Sequence, residues 1–460
     1  MNMLRNIASE SLYRLAAQSS RFDVYHPWQE LIASQWLDAK ALKDLRTSRL
    51  RNLLKHSVSN VPFYKQKACG IDPQLLMQDP LAFLNQLEIT SRSALTAVAE
   101  NVRSAWSPGL KSGAAVRTSG TGTGVRFDLK IDNAAFLRKY ALLLRNYHTL
   151  GWRPGDTIYS LWPFSHEAYQ SGGRDIRRVI ADTLFHPKRY FPPMPREGLS
   201  EEQALLIARR IVTGDPVLIE GDGHYIGRLA EAITRYDLKP PGSLRAIKLA
   251  TCPTPEAGRK RIAKAFNCPV FDNYGPHEME GVALQCTYSG LMHLSAESYI
   301  AEIVDDDGLL CRSGEVGNLC LTDLDNRLQP LIRYIIGDVI RTRSEEQHCS
   351  CGRGLPLIGH VEGRRIECLE TTNGLFTPLA FLDLMAAFNL ENRCRMLRLS
   401  KRRIRLEVSP YRRDIEKEEE AAHALASALR NEYQIEVSFV PIIPTGESGK
   451  MRYLSDAPES

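Results

Sequence analysis

Between Val116 and Asp132 the chain reads VRTSGTGTGVRFDLKID, in which Thr118, Ser119, Gly120, Thr121, Gly122 and Thr123 follow one another without a break. Hydroxyls beside glycines can wrap phosphate oxygens, because a residue without Cβ lets backbone N–H groups come close to an anion. A dinucleotide fingerprint needs G-x-G-x-x-G opening a helix; here the spacing is G-x-G-x-G, and VRFDLKID then alternates like a strand. A Walker loop is excluded as well, since no Lys-Ser/Thr pair follows the last glycine. The spacing leaves a hairpin-like loop, either phosphate-holding or a plain turn.

Further on, candidate chemistry recurs in short segments. FDNYGPHEMEG (271–281) contains Tyr274 and Glu278, IRYIIGDVIR (332–341) contains Asp338, VEGR (361–364) ends in Arg364, and PTGESGKMR (444–452) carries Lys450. Taken singly, each has a bland reading: a helix-start glutamate, a Gly-Asp turn, a solvated lysine. A carboxylate such as Glu278 is a hard ligand suited to Mg2+, and a flexible lysine can bring a positive charge to a reacting phosphate. Cys286 and His293 in CTYSGLMH face Cys349 and Cys351 in HCSCGR. Three thiolates and one imidazole make a closed tetrahedral zinc set. The spacing is not that of a common finger, so a buried Cys/His scatter stands beside the zinc reading, with His348 as an alternate ligand. SLWPFSHEAY offers Trp162 and His166 as pocket walls, though a strand-end aromatic cluster is more often plain core, and Cys252 in LATCPTPEAG is a further pocket candidate only by comparison with the family named below.

The order of these segments resembles the adenylate-forming superfamily, the acyl-CoA synthetases and their relatives. LLKHSVSNVPFYKQ, GWRPGD and CSCGRGLPLIGHVEGR are similar to its phenylacetate–CoA ligase branch and to capsule-biosynthesis-type synthetases. The resemblance implies ATP-dependent activation of a small or aromatic carboxylic acid as acyl-adenylate, followed by transfer to CoA with release of AMP and pyrophosphate. An amine, a sugar or a carrier-protein thiol is the alternative acceptor, and a non-catalytic nucleotide-binding relative is the rival class. The resemblance gives Thr118, Ser119, Gly120, Thr121, Gly122 and Thr123 to the phosphates, Tyr274 to adenine, Glu278 to Mg2+ and Asp338 to the ribose hydroxyls. It gives Arg364 to the nucleotide at the domain junction and Lys450 to adenylation. It also raises a structural Zn2+ at Cys286, His293, Cys349 and Cys351. Departures are visible: TSGTGTGV exchanges Gly and Thr relative to the usual loop and puts Val125 in place of proline. Ile366 stands where an acidic hinge residue is usual, with Glu367 next.

The elements that must position these residues are legible from periodicity. Residues 1–100 read as mostly helical, and NAAFLRKYALLLRNYHTLG is a long helix stopped at Gly151. PVLIEG, LRAIKLAT and CPVFDNYG are strands separated by helices, which predicts a sheet covered by helices. Residues 281–360 read as short strands. The fold class expected is α/β: a large N-terminal domain, 1–362, of helix-covered mixed sheets with a β-rich subdomain, and a small mobile α+β C-terminal lid domain, 363–460. A net charge of +5 over 460 residues leaves no nucleic-acid footprint. The N-terminal segment has no continuous apolar core for a signal peptide, no stretch is long enough for a membrane span, and ten cysteines in such a chain read as reduced thiols. Cytoplasmic location is the expectation, with a small-molecule acid and CoA as partners and a homodimer left open.

Overall fold

In the computed structural model, residues 8–14, 23–97, 112–117, 128–162, 188–193, 198–343, 349–409, 415–446 and 450–457 are described, with the single residues 6 and 195. They fall into two compact units. One draws on Met1–Gly155 and Asn273–His360, the other on Asp156–His166, His186–Asp272 and Val361–Ser460.

The first unit starts with helices. Ala39–Asn60 is capped by Asp38, whose carboxylate accepts from the Ala41 amide, and Pro62–Lys67, Pro73–Gln78 and Pro80–Gln86 each begin with a proline at the first turn. Pro62 in SNVPFYKQ is therefore the start of a new helix. Leu50, Leu53, Leu54, Tyr64, Phe83 and Leu84 pack with Ile300 and Ile332 into one core. Ser112–Arg117 and Asp128–Asp132 pair antiparallel with Arg117 opposite Asp128, so the glycine-rich segment joins two strands of a hairpin, as its alternation predicts. Asp132 then caps Asn133–Thr149, and Gly151 beyond its end has φ +92°.

The same unit holds the β-rich stretch. Tyr299–Val304, Val316–Asp323 and Tyr334–Arg341 form an antiparallel meander. Residues Asn273 and Tyr274 pair antiparallel with Ala283–Gln285, which continues through Met292–Leu294 to Leu357–Ile358.

In the second unit the strands Lys188–Tyr190, Ile158–Leu161, Leu218–Asp222 and Ala246–Ala250, and then residues 270–272, follow in that spatial order, all parallel. Near-complete burial of Leu218–Asp222 and Ala246–Ala250 is what a parallel sheet covered by helices demands. Helices Glu201–Val212, Gly223–Arg235 and Glu256–Phe266 supply the cover. The first was missed from sequence, although Ser200 and Gln203 form a full capping box there. Residues 369–456 add a sheet in the order Gln434–Phe439, Arg403–Val408, Cys394–Ser400, Leu454–Asp456, packed on Pro378–Ala386 and Ile415–Ala428. Cys394–Ser400 and the hairpin Leu369–Phe376 also escaped the periodicity reading.

None of the ten cysteines is in a disulfide, and Cys268, Cys320 and Cys394 are buried, whereas Cys252 is only partly so. No helix of the described residues is long and apolar enough to cross a membrane.

Candidate functional site

Tyr274 ends a strand and Asp338 lies in another, yet their side chains meet: the Tyr274 hydroxyl donates to Asp338 Oδ2 at 2.8 Å. A bulge aims Asp338. Asn318 pairs with Val339 and Cys320 with Ile335, so one residue of the partner strand faces the three residues Ile336, Gly337 and Asp338. Gly337 takes φ +95° in the bulge, a conformation open to glycine.

Glu278 sits on the loop after Tyr274. Met279 is fully buried, the Glu280 carbonyl accepts from the Tyr299 hydroxyl at 2.7 Å, and the Gly281 carbonyl accepts from Ser295 at 2.6 Å. Gly281 has φ +67°, and a Cβ there would press on Leu142 at 2.8 Å. So fixed, the Glu278 carboxylate is 2% exposed and accepts from Arg92 Nη2 at 2.6 Å, while Arg92 Nε donates to the Tyr334 hydroxyl at 3.1 Å. Burial first, and then the Glu278 charge, push the Tyr334 hydroxyl up to about 12. Tyr334 opens the strand that carries Asp338. The structure therefore brings Tyr274, Glu278 and Asp338 into one framework. Arg92 and Tyr334 were missed: a lone arginine on the six-residue helix Arg92–Ala97 and a tyrosine in a strand carry no motif.

Thr118, Ser119, Gly120, Thr121, Gly122 and Thr123 lie outside the described residues, as do His166 and His348. Only the paired strands on either side of that loop are seen.

The second unit holds Arg364, Lys450 and Cys252. Arg364 ends the strand Val361–Arg364. Gly363 before it has φ +126°, and a Cβ there would overlap Pro378. Ile366 is 59% exposed, whereas the Glu367 carboxylate accepts from the Tyr453 amide at 3.2 Å, so the shifted acidic residue anchors the segment after Lys450. The loop is closed by the Gly446 amide donating to the Lys450 carbonyl at 2.8 Å. Asp222, 1% exposed, caps Gly223–Arg235 through the Tyr225 amide at 2.9 Å and accepts from the Thr251 hydroxyl. Burial pushes the Asp222 carboxyl above its ordinary range, opposed by those hydrogen bonds and by the Lys450 charge. Cys252 lies against Gly223 and Tyr453; burial, then the Asp222 charge, lift its thiol well above the usual range. Trp162 is half-buried just after the strand Ile158–Leu161.

A separate cluster in the first unit unites Cys286, His293, Cys349 and Cys351, whose donor atoms all lie within 4.8 Å of one another. Cys286 Sγ is 3.6 Å from Cys349 Sγ, and His293 Nε2 is 3.2 Å from Cys351 Sγ. The Leu355 carbonyl holds His293 Nδ1 at 2.8 Å, which turns Nε2 toward the sulfurs. Such a soft donor set can hold a thiophilic metal ion.

No family model matches the chain. It is 25% identical over 464 residues to a phenylacetate–coenzyme A ligase of Thermus thermophilus, covering 91% of this chain and 97% of that protein. It is 27% identical over 311 residues to a phenylacetate–coenzyme A ligase of Escherichia coli, covering 65% and 67%. Among solved structures, 2-hydroxyisobutyryl-CoA ligase in the postadenylation state superposes with a TM-score of 0.71 at 18% identity, over 92% of this chain and 91% of that one. A benzoate CoA ligase from Burkholderia xenovorans gives 0.53 at 14% identity, over 79% and 78%. The fold is thus that of the acyl-CoA ligases, and by sequence the chain is similar to phenylacetate–coenzyme A ligases over most of its length.

Proposed function

We propose that the chain is an AMP-forming acid–thiol ligase. A carboxylate oxygen of the acid attacks the α-phosphorus of ATP and pyrophosphate leaves. The sulfur of CoA then attacks the acyl carbon, and AMP leaves with its phosphate. The observation that carries this reading is the joining of Tyr274, Asp338 and Glu278 on one buried framework, in a chain similar along its length to phenylacetate–coenzyme A ligases.

In this scheme Asp338 accepts the ribose hydroxyls, a role that suits a carboxylate with two oxygens. Tyr274 stands at adenine and orients Asp338 through its hydroxyl. Thr118–Thr123 hold the phosphates and Arg364 the nucleotide. Bound Mg2+ would neutralise phosphate charge, with Glu278 as its protein ligand. Lys450 meets the charge that develops as the carboxylate attacks. Residues 363–460 act as the lid that delivers Lys450, over a main domain 1–362. Cys252, Trp162 and His166 wall the acid, which is small or aromatic. Cys286, His293, Cys349 and Cys351 hold a structural Zn2+; four protein ligands leave no open position for catalysis. The site of action is the cytoplasm, and a homodimer is the assembly to test.

The test is ATP–pyrophosphate exchange with purified protein across small aliphatic and aromatic acids, followed by CoA-dependent AMP release. Exchange with at least one acid is expected. Failure with every acid, while ATP still binds, would replace the ligase with a nucleotide-binding relative, and the Gly/Thr exchange in TSGTGTGV would be the first cause to examine. AMP release that needs an amine, a sugar or a carrier thiol in place of CoA would move the acceptor.

A further inference from the structure

The segment that follows Cys351 faces two ways. On one side Arg353 turns toward sulfur: its amide lies 3.5 Å from Cys351 Sγ and its Nη1 3.7 Å from the same atom. On the other side Arg353 Nε donates to Gln35 Oε1 at 2.9 Å, and the guanidinium stacks 5.2 Å from the Trp36 ring centroid. The next amide, Gly354, donates to the Gln35 carbonyl at 3.0 Å. The backbones run so close that a Cβ on Gly354 would overlap the Leu37 carbonyl. Gln35 is 5% exposed and ties back to Ile32 at 2.9 Å, and Ser34 reaches Glu297, which pairs with Arg145 at 2.8 Å. The turn 35–37 thus ends the helix Tyr25–Ser34 by docking on the residues after Cys351.

We propose that Arg353 is a positioning residue that ties metal binding at Cys286, His293, Cys349 and Cys351 to the docking of the turn 35–37, so that each favours the other. The inference rests on the metal-centre reading above. A metal-bound sulfur is fixed in place and negatively charged, and accepts Arg353 donors far better than an unrestrained thiol. The guanidinium fork can serve sulfur and Gln35 at once because its donors are splayed in one rigid plane; an ammonium cannot do both. Coupling of this kind is reciprocal: whatever factor the docked turn adds to metal affinity, the metal adds to docking.

The experiment pairs zinc affinity, from competition with a chromophoric chelator, with amide hydrogen exchange of the peptide spanning residues 30–40. Wild type, Arg353→Gln, Arg353→Lys and Gln35→Ala are compared. Arg353→Gln is expected to hold zinc about 10-fold more weakly. Gln35→Ala, which touches no metal ligand, is expected to weaken zinc in the same direction by a smaller factor. Arg353→Lys should recover part of the zinc affinity while leaving the turn less protected than in wild type. Stripping zinc from wild type should speed exchange at 35–38. If zinc affinity is the same in all four proteins, or exchange at 35–38 ignores zinc, the coupling is overturned and the metal centre stands. If wild type contains no zinc and takes up none, the metal-centre reading itself fails, and the coupling with it.

Discussion

Tyr274 and Asp338 are 64 residues apart and 2.8 Å apart at their side-chain oxygens, and this bond ties the YGPHE loop to the bulge that holds Asp338. A carboxylate that accepts sugar hydroxyls contributes charge-assisted bonds of roughly 1.5–3 kcal/mol each. Asp338→Asn is therefore expected to raise the KM for ATP about 10-fold or more in the pyrophosphate-exchange assay, with little loss of thermal stability. Tyr274→Phe, which removes only the orienting hydroxyl, should have a smaller effect in the same direction. An unchanged KM in Asp338→Asn would remove it from the nucleotide site.

Gly337 permits a finer test. Its φ of +95° suits glycine, and the space beside it is open, since nothing lies within 4 Å of a Cβ placed there. Gly337→Ala therefore introduces backbone strain without a clash, on the order of 1–2 kcal/mol. The expected outcome is a lower melting temperature together with a raised KM for ATP, because relief of the strain re-aims Asp338. A melting temperature that falls while KM stays put would separate the bulge from nucleotide binding.

Arg92 and Glu278 form a buried pair at 2.6 Å, at 10% and 3% side-chain exposure. Removing one partner strands the other charge away from water, which typically costs about 3–5 kcal/mol, whereas removing both costs far less. Arg92→Met and Glu278→Gln should each destabilise in urea unfolding, and the double variant should be more stable than the sum of the two predicts. All three should lose Mg2+-dependent exchange if Glu278 holds the metal. Additive stability losses would mean the two side chains do not share their burial cost.

The elements were largely legible in sequence because their periodicities are strong. Asn133–Thr149 shows a helical apolar face with a clear stop at Gly151, and Leu218–Asp222 and Ala246–Ala250 are short apolar runs between helices. What escaped was either too short or too mixed. Cys394–Ser400 sets its arginines three apart among apolar residues, so it lacks strand alternation, and the hairpin around Asn373 and Gly374 has three-residue arms. Among the candidate site residues, Tyr274, Glu278 and Asp338 stand out in sequence because the order of their segments resembles a family. Arg92 and Tyr334 were not, because a buried ion pair is created by tertiary contact and leaves no local pattern. Glu367 shows the same limit in another form. Its one-position shift from the usual acidic hinge residue reads as a defect in sequence, yet its carboxylate is engaged with the Tyr453 amide.

Lys450 lies on a loop anchored on both sides, by Gly446 before it and by buried Met451 and Tyr453 after it. Lys450→Ala should remove adenylation, read as pyrophosphate exchange, by at least 100-fold, while ATP affinity by direct titration changes little. The release half of the cycle, thioester formation from a chemically made acyl-adenylate and CoA, should persist. Loss of both halves would give Lys450 a structural task.

The cysteine cluster yields a metal prediction. Cys349→Ser removes one thiolate of three and leaves a weaker ligand, so purified protein should fall from about one zinc per chain to well below one, with a lower melting temperature. Wild type treated with a strong chelator should show the same drop, reversed by added zinc. Equal melting temperatures with and without metal would show that the cluster packs unaided.

Acid stability follows from two histidines, His224, which is buried, and His148, which is half-buried. Burial, then the Arg153 charge, lower His148 from 6.5 to about 4; burial, then Arg228, lower His224 to about 3. Between pH 6.5 and 4 the unfolded chain takes up protons at these positions and the folded chain does not, so stability falls as pH falls through that window. The slope is at most about 1.4 kcal/mol per pH unit for each histidine, and less for His148, whose ring is partly exposed. Asp222, raised by burial, acts in the opposite sense and lies in the unit that holds His224, where it masks part of the effect. His148, packed 5.8 Å from the Trp28 ring, is the cleaner probe. Urea midpoints should drop between pH 7.5 and 5 in wild type, and His148→Gln should flatten that drop for the transition of its own unit. A wild-type midpoint that is level from pH 7.5 to 5 would mean the ring is hydrated enough to protonate in place.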